Sequence, residues 1–132
     1  MNDEYIDDVS EYITDEGFKN SSVVMNPIGS VLIAMYGATI GKLGLTNIET
    51  TTNQACCACF PLMISNKYLF FFLMHEKENF IKNAVGGAQP NISKEKIVGT
   101  LIPIPPLDEQ NRIVKTIESL NGFLSLIEAS LI

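Results

Sequence analysis

Apolar positions along this chain change their period several times, and each change marks an element. Ile6, Val9 and Ile13 recur at helical spacing and stop at Gly17, which predicts a helix over residues 5–16. Thr14-Asp15-Glu16 is an alternative start for a short turn of its own, with Thr14 as its cap. "NPIGS" (26–30) has turn chemistry, "SVLIAMY" (30–36) reads as a buried strand, and "LGLTN" (43–47) as a second strand. "TTNQACCACF" (51–60) alternates as a third and is closed by Pro61. From Asn66, which can cap it, a helix runs to about Ala84, apolar nearly all round in its first half. "VGGAQPNIS" (85–93) ends that helix, and Ser93 can cap a short turn, "KEKIV". "TLIPIPP" (100–106) is extended, either an edge strand or a polyproline lead-in, because Pro103 and Pro105 cannot donate to a ladder.

The last element is the most regular. After "PPLDEQ", Ile113, Ile117, Leu120, Leu124, Ile127 and Leu131 recur at spacings of 4, 3, 4, 3 and 4, a heptad seam. Phe123 and Leu126 widen it, while Lys115, Glu118 and Glu128 lie off it. Such a helix either lies along its own core or docks on another helix, from a partner or from the other half of a longer chain. The elements together predict an α/β (α+β) fold: a small mixed or antiparallel sheet, one packed helix, and a long C-terminal coiled-coil-like helix.

Bulk properties narrow the function classes. With 132 residues, 46% hydrophobic and 18% charged, the chain fits one globular domain with a real core. Its longest apolar run, "YLFFFLM" (68–74), falls far short of the about 20 residues a membrane span needs, so no membrane role is expected. The acidic start, "MNDEYIDDVSEY", lacks the basic opening of a secretory signal, and a cytoplasmic location is the expectation. Net charge is −6, but residues 1–16 hold seven acids and no base, leaving nine Lys/Arg against eight Asp/Glu in the rest. The body is thus nearly neutral. Arg112 is its only arginine, so composition alone does not announce a DNA binder.

The motifs bear on several chemistries. "YGATIGKLG" (36–44) invites comparison with a phosphate loop, yet Gly37 and Gly41 are separated by three residues rather than four. Leu43 also follows Lys42 where a hydroxyl is needed, and a strand follows where a helix N-terminus should face the phosphate. The plainer reading is a hairpin whose glycines supply positive φ or close approach. Cys56, Cys57 and Cys59 have no second cluster to complete a zinc site and read as reduced, buried thiols; no metal or cofactor is expected. Asp108 and Glu109 sit where a helix N-terminus favours carboxylates, and no nucleophile–base pairing appears.

Taken in order, "GSVLIAMYGATIGKLGL", "TTNQACCACFPL", "NKYLFFFL", "GGAQPNIS" and "IPIPPLDEQNRIVKTIESL" resemble the specificity subunit of type I restriction-modification enzymes, over roughly residues 11–132. The resemblance implies a non-catalytic DNA reader, needing no nucleotide, that recognises one half of a bipartite double-stranded target. It implies docking to methyltransferase (modification) and motor-nuclease (restriction) subunits, and helix pairing as a spacer, including a homodimer through the C-terminal helix. Residues 1–106 would be a partial target recognition domain, since a complete module begins well before "YITDEGFKN", and 107–132 the start of the spacer helix. Ile113, Ile117, Leu120, Leu124, Ile127 and Leu131 would pair helices. The family's DNA contacts lie on variable loops, so candidates come from polar loop positions: Lys19, Asn20 and Ser21; Tyr36, Thr39 and Lys42; Gln89 and Asn91. For Gln89 and Asn91 amides bonded to loop backbone are at least as good a reading, and for Tyr36 a half-buried strand end is the better one. A rival function is an assembly module that pairs through its last helix without reading DNA; a nucleotide-binding enzyme is a distant third.

Overall fold

The computed structural model describes residues 3–131, so the outermost residues of both predicted segments lie outside it. Four strands form one sheet in the order β1-β3-β2-β4, with β1 at Glu4–Ile6, β2 at Val31–Ala34, β3 at Leu43–Thr46 and β4 at Cys56–Cys59. β2 is antiparallel to both β3 and β4, and β1 is parallel to β3, so the sheet is mixed. The helices are α1 at Asp15–Lys19, α2 at Asn66–Lys82, α3 at Lys94–Val98 and α4 at Leu107–Ser130.

One face of the sheet makes the core. Val31, Ile33, Leu43, Leu45 and Cys57 pack against Phe70, Leu73 and Phe80 of α2, and Ile92 and Ile97 close one end. Each such side chain, fully buried, is worth about 1.5–3 kcal/mol, which is why short strands suffice here. Cys57 is buried, and Cys56 and Cys59 are half-buried. Ser65 rather than Asn66 caps α2, accepting the Tyr68 N–H at 3.3 Å; Asn66 instead takes the first helical position, and Asn83 ends the helix. Ser93 caps α3 as predicted, accepting from the Lys96 N–H.

The predicted helix over 5–16 does not form. Tyr5 and Ile6 belong to β1, whose neighbour in the sheet is β3, and the only helix nearby is the short α1 with Thr14 as its cap. Three apolar residues at helical spacing are outweighed by what β1 gains. The Leu43 N–H donates to Asp3 Oδ1 at 2.8 Å, Lys77 Nζ donates to Asp3 Oδ2 at 2.6 Å, and the Tyr5 ring lies 6.2 Å from that of Phe70. Asp3 and Tyr5, two residues apart, thus share the α2 side. The third strand is shorter than predicted because Asn53 bends the chain first, taking the Ala55 N–H on its side chain and the Cys56 N–H on its carbonyl. Residues 100–106 stay outside the sheet as an extended lead-in, tied down where the Tyr68 hydroxyl donates to the Pro103 carbonyl at 2.8 Å.

The predicted hairpin joins β2 to β3. The Ala34 N–H donates to the Lys42 carbonyl and the Gly41 N–H to the Ala34 carbonyl, with Gly37 at φ 87° and Gly41 at φ 76°. A Cβ on Gly41 would meet Ile81 Cδ1 at 3.0 Å, whereas one on Gly37 would meet nothing. Gly37→Ala should therefore cost only the left-handed backbone, about 1–2 kcal/mol, and Gly41→Ala measurably more, as urea midpoints would report. Equal losses would mean that Ile81 yields freely.

Asp3 adds a pH dependence. Burial pushes its carboxyl up, but the Lys77 hydrogen bond, the Leu43 N–H and the charges of Lys77 and Lys42 outweigh this and hold it below the ordinary value. Its contribution is present above the ordinary carboxylate range, near pH 4, and is lost as pH falls through the lowered folded value. Asp3→Asn should lower stability at pH 7 and flatten its decline below about pH 4. Asparagine suits this test because Asp3 sits at φ 60°, a region asparagine tolerates. An unchanged acid profile in urea titrations would remove Asp3 from this role.

Candidate nucleic-acid interface and helix-pairing face

Two of the three predicted contact loops converge. The hairpin carrying Tyr36, Thr39 and Lys42 leaves β2 at the same end of the sheet where residues 85–92 return. The Ile92 N–H donates to the Met35 carbonyl at 2.7 Å and buries Ile92 beside it. The 85–91 loop closes on itself through main-chain bonds between Val85 and Asn91 and a turn from the Gly86 carbonyl to the Gln89 N–H. Its side-chain amides are not used for this: among the described residues, those of Gln89 and Asn91 meet no hydrogen-bond partner and are exposed. Tyr36 is 46% exposed, beyond the last residue of β2, so it is an open loop residue rather than a half-buried strand end.

Lysines share this end with the Asp3 carboxylate. Gly41 packs beside Lys77 and Ile81 of α2, Lys42 lies close enough to Asp3 to act on its charge, and Lys96 Nζ bonds the Asn83 carbonyl at the C-terminus of α2. Lys94 acts on the thiols of Cys57 and Cys59. A hydrogen bond from Cys59, opposed by burial and helped by Lys94, brings Cys57 down to about 7; burial pushes Cys56 up to about 11. Among the described residues, no group of three or more His, Cys, Asp or Glu could hold a metal ion.

Lys19, Asn20 and Ser21 are exposed but stand apart from the other two loops. They close α1, where Asn20 is the C-cap and the Ser21 hydroxyl donates to the Phe18 carbonyl. The chain leaves the sheet towards α1 where the Asn47 N–H donates to the Ile6 carbonyl, and returns at the Asn26–Thr50 bridge. Both points lie beyond the Thr46 end of β3, opposite the hairpin. Arg112 is also taken: its Nη2 and Nε donate to Glu109 at 2.6 and 2.8 Å.

The heptad seam divides into two parts. Ile113 and Ile117 are half-buried, whereas Leu120, Leu124 and Ile127 are 57%, 57% and 54% exposed, and Leu131 more so. The deepest residues of α4 are Gln110 and Val114, neither of which the heptad count singled out. Gln110 Oε1 accepts the Ser65 N–H at 2.9 Å and its Nε2 donates to the Pro105 carbonyl at 2.9 Å, joining the first turn of α4 to the start of α2. A glutamine three residues into a helix that follows two prolines was the available signal. Tyr5, Lys67 and Glu118 were also missed, since no local pattern links positions so far apart in sequence.

Among the described residues, no helix is long and apolar enough to cross a membrane. The fold is shared with two solved chains, one from a study of complex assembly and conformational transition of the type I R-M system and one being the HsdS subunit from Thermoanaerobacter tengcongensis. They superpose with TM-scores of 0.70 and 0.68 over 80% of this chain and 26% and 25% of theirs, at 22% and 21% identity. In sequence the chain is 26% identical over 132 residues to the type I restriction enzyme EcoR124I/EcoR124II specificity subunit of Escherichia coli, covering 96% of this chain. It is also 26% identical over 103 residues, 78% of the chain, to the putative type I restriction enzyme MjaX specificity subunit of Methanocaldococcus jannaschii. It spans 33% and 22% of the lengths of those two relatives. Residues 2–132 match the type I restriction modification DNA specificity domain, and the chain belongs to that family.

Proposed function

We propose that this chain is a non-catalytic DNA-reading module that recognises one half of a bipartite double-stranded target. Residues 1–106 act as a partial target recognition domain and 107–132 as the spacer helix. The observation that carries this reading is the convergence of the hairpin and the 85–91 loop at one end of the sheet, with the side-chain amides of Gln89 and Asn91 exposed and unused by the fold. Amides in that state can pair with adenine edges, while Lys42 and the neighbouring lysines neutralise phosphates. Methyl transfer and strand cleavage then belong to the methyltransferase and motor-nuclease subunits, in the cytoplasm with the DNA. The uncovered half of α4, centred on Leu120, Leu124 and Ile127, pairs with a second helix, from a second copy of the chain or from a partner subunit.

The rival, an assembly module that reads no DNA, draws on two observations: the net charge of −6 and the engagement of the only arginine by Glu109. DNA binding separates the two. Affinity should fall with salt at about −0.9 in logarithmic slope per phosphate contacted. Lys42→Ala should weaken all sequences alike and reduce the slope by about 1. Gln89→Ala or Asn91→Ala should leave the slope alone and relax preference at one base pair by about 1–3 kcal/mol. Binding absent across a random-sequence pool would favour the assembly module. Leu120→Glu with Leu124→Glu should weaken self-association or subunit capture roughly 100-fold, because two charges would enter an apolar seam. Unchanged mass in light scattering together with unchanged capture would reject the helix-pairing face.

A further inference from the structure

We infer that Tyr5, Lys67 and Glu118 form a second clamp on α4 that sets the direction in which this helix leaves the domain. The inference rests on the spacer reading of α4 proposed above. The first clamp is Gln110, 2% exposed and bonded at both ends of its amide to backbone of the α2 start and the proline segment. Between the two clamps the buried Val114 and the half-buried Ile113 and Ile117 seat the helix by apolar contact, which is non-directional and sets its tilt less closely than a hydrogen-bonded attachment. Eight residues further on, about 12 Å along the helix axis, Glu118 Oε1 accepts Lys67 Nζ at 2.7 Å and the Tyr5 hydroxyl at 3.0 Å.

These donors come from two different elements. Lys67 lies in the first turn of α2 and Tyr5 in the edge strand β1, and Lys67 Nζ sits 5.6 Å from the Tyr5 ring centroid. Tyr5 is itself held against Phe70, and β1 is tied to α2 a second time through Asp3 and Lys77. The carboxylate of Glu118 is therefore triangulated from the sheet and from α2. Beyond it every residue of α4 from 119 to 130, and the C-cap Leu131, is exposed. That free arm is about 20 Å long, so a tilt of about 10° at its root moves its tip about 3.5 Å, on the order of one base-pair rise. A second attachment that removes this tilt makes Tyr5, Lys67 and Glu118 positioning residues for the distance between half-sites. Lys67 and Glu118 are 42% and 37% exposed, so salt should loosen this clamp and leave the buried Gln110 clamp intact.

The test measures direction first. Residual dipolar couplings of backbone amides, recorded on the whole chain in low salt, should fit α4 residues 118–130 and the sheet to one alignment tensor. In Glu118→Ala, and in the wild type at about 1 M salt, the fitted tensor of that segment should shrink by at least a third. Tyr5→Phe, which keeps the ring on Phe70, should give a smaller loss. Glu118→Gln guards against a folding defect in the alanine variant, and thermal midpoints within a few degrees of wild type would separate reorientation from unfolding. Couplings in Glu118→Ala that match the wild type would overturn the clamp. A second measurement selects duplexes carrying two half-sites at varied separation, using the chain assembled with its methyltransferase subunits. The wild type should accept one separation and Glu118→Ala that separation and its neighbours, with the half-site sequence unchanged. One separation kept by the variant would sink the spacing role. If neither protein selects any duplex, the DNA reading itself fails, and the coupling data still decide the clamp.

Discussion

Everything in this molecule is referred to the seat of α2 on the sheet. Phe70, Leu73 and Phe80 cover Val31, Ile33, Leu43 and Leu45, and without that contact four strands of three or four residues would have no reason to hold together. The same helix then organises its surroundings from its other faces. Its first turn receives α4 through Ser65 and Lys67, and its C-terminal half supports the hairpin at Gly41 through Ile81 and Lys77. One apolar contact between a helix and a sheet thus places a pair of loops at one end and a projecting helix at another. Neither is positioned by its own local sequence.

That dependence explains which parts could be read in advance. β2, β3 and the hairpin between them were legible because a buried run, two glycines and a second buried run constrain only nearby residues. α4 was legible because a heptad seam repeats often enough to outvote noise. β1 was not. Ile6, Val9 and Ile13 carry a genuine helical period, and it loses to a parallel pairing with β3 that lies some 40 positions away in sequence. The clamps on α4 were invisible for the same reason: Gln110 and Glu118 are ordinary helix-surface residues until Ser65, Lys67 and Tyr5 are brought beneath them by the fold. Of the contact loops, the joining of Tyr36 to Asn91 depends on one main-chain bond at Ile92, and the separation of Lys19–Ser21 follows from the same topology.

Net charge is a poor guide here because the charges are used locally. Asp3 is held by Lys77, Glu118 by Lys67 and Glu109 by Arg112, so three acids and three bases cancel within ion pairs. Two of these pairs join elements distant in sequence and contribute geometry more than stability, since half-exposed ion pairs are individually weak. From Asp7 onward the acidic lead-in leaves the sheet at the Thr46 end, whereas the hairpin and the 85–91 loop lie at the other, together with Asp3, which Lys77 pairs. The hairpin end thus exposes the side-chain amides of Gln89 and Asn91 near a carboxylate that is already paired.

The contrast between the two halves of α4 makes the spacer reading physically economical. A helix that served only its own domain would bury its apolar stripe continuously, as Val114 does, and would turn polar once it ran past the core. Here burial stops after Glu118 while the stripe continues through Leu120, Leu124, Ile127 and Leu131, joined by Phe123 and Leu126. Contiguous exposed apolar surface of that kind is costly in water and is normally covered by a partner. The residues just before it do the opposite task, fixing the helix to its domain with a buried amide and a triangulated carboxylate. A rigid root and an apolar free arm are the two properties required of a strut, because a strut transmits position only if it cannot pivot at one end and can be grasped at the other.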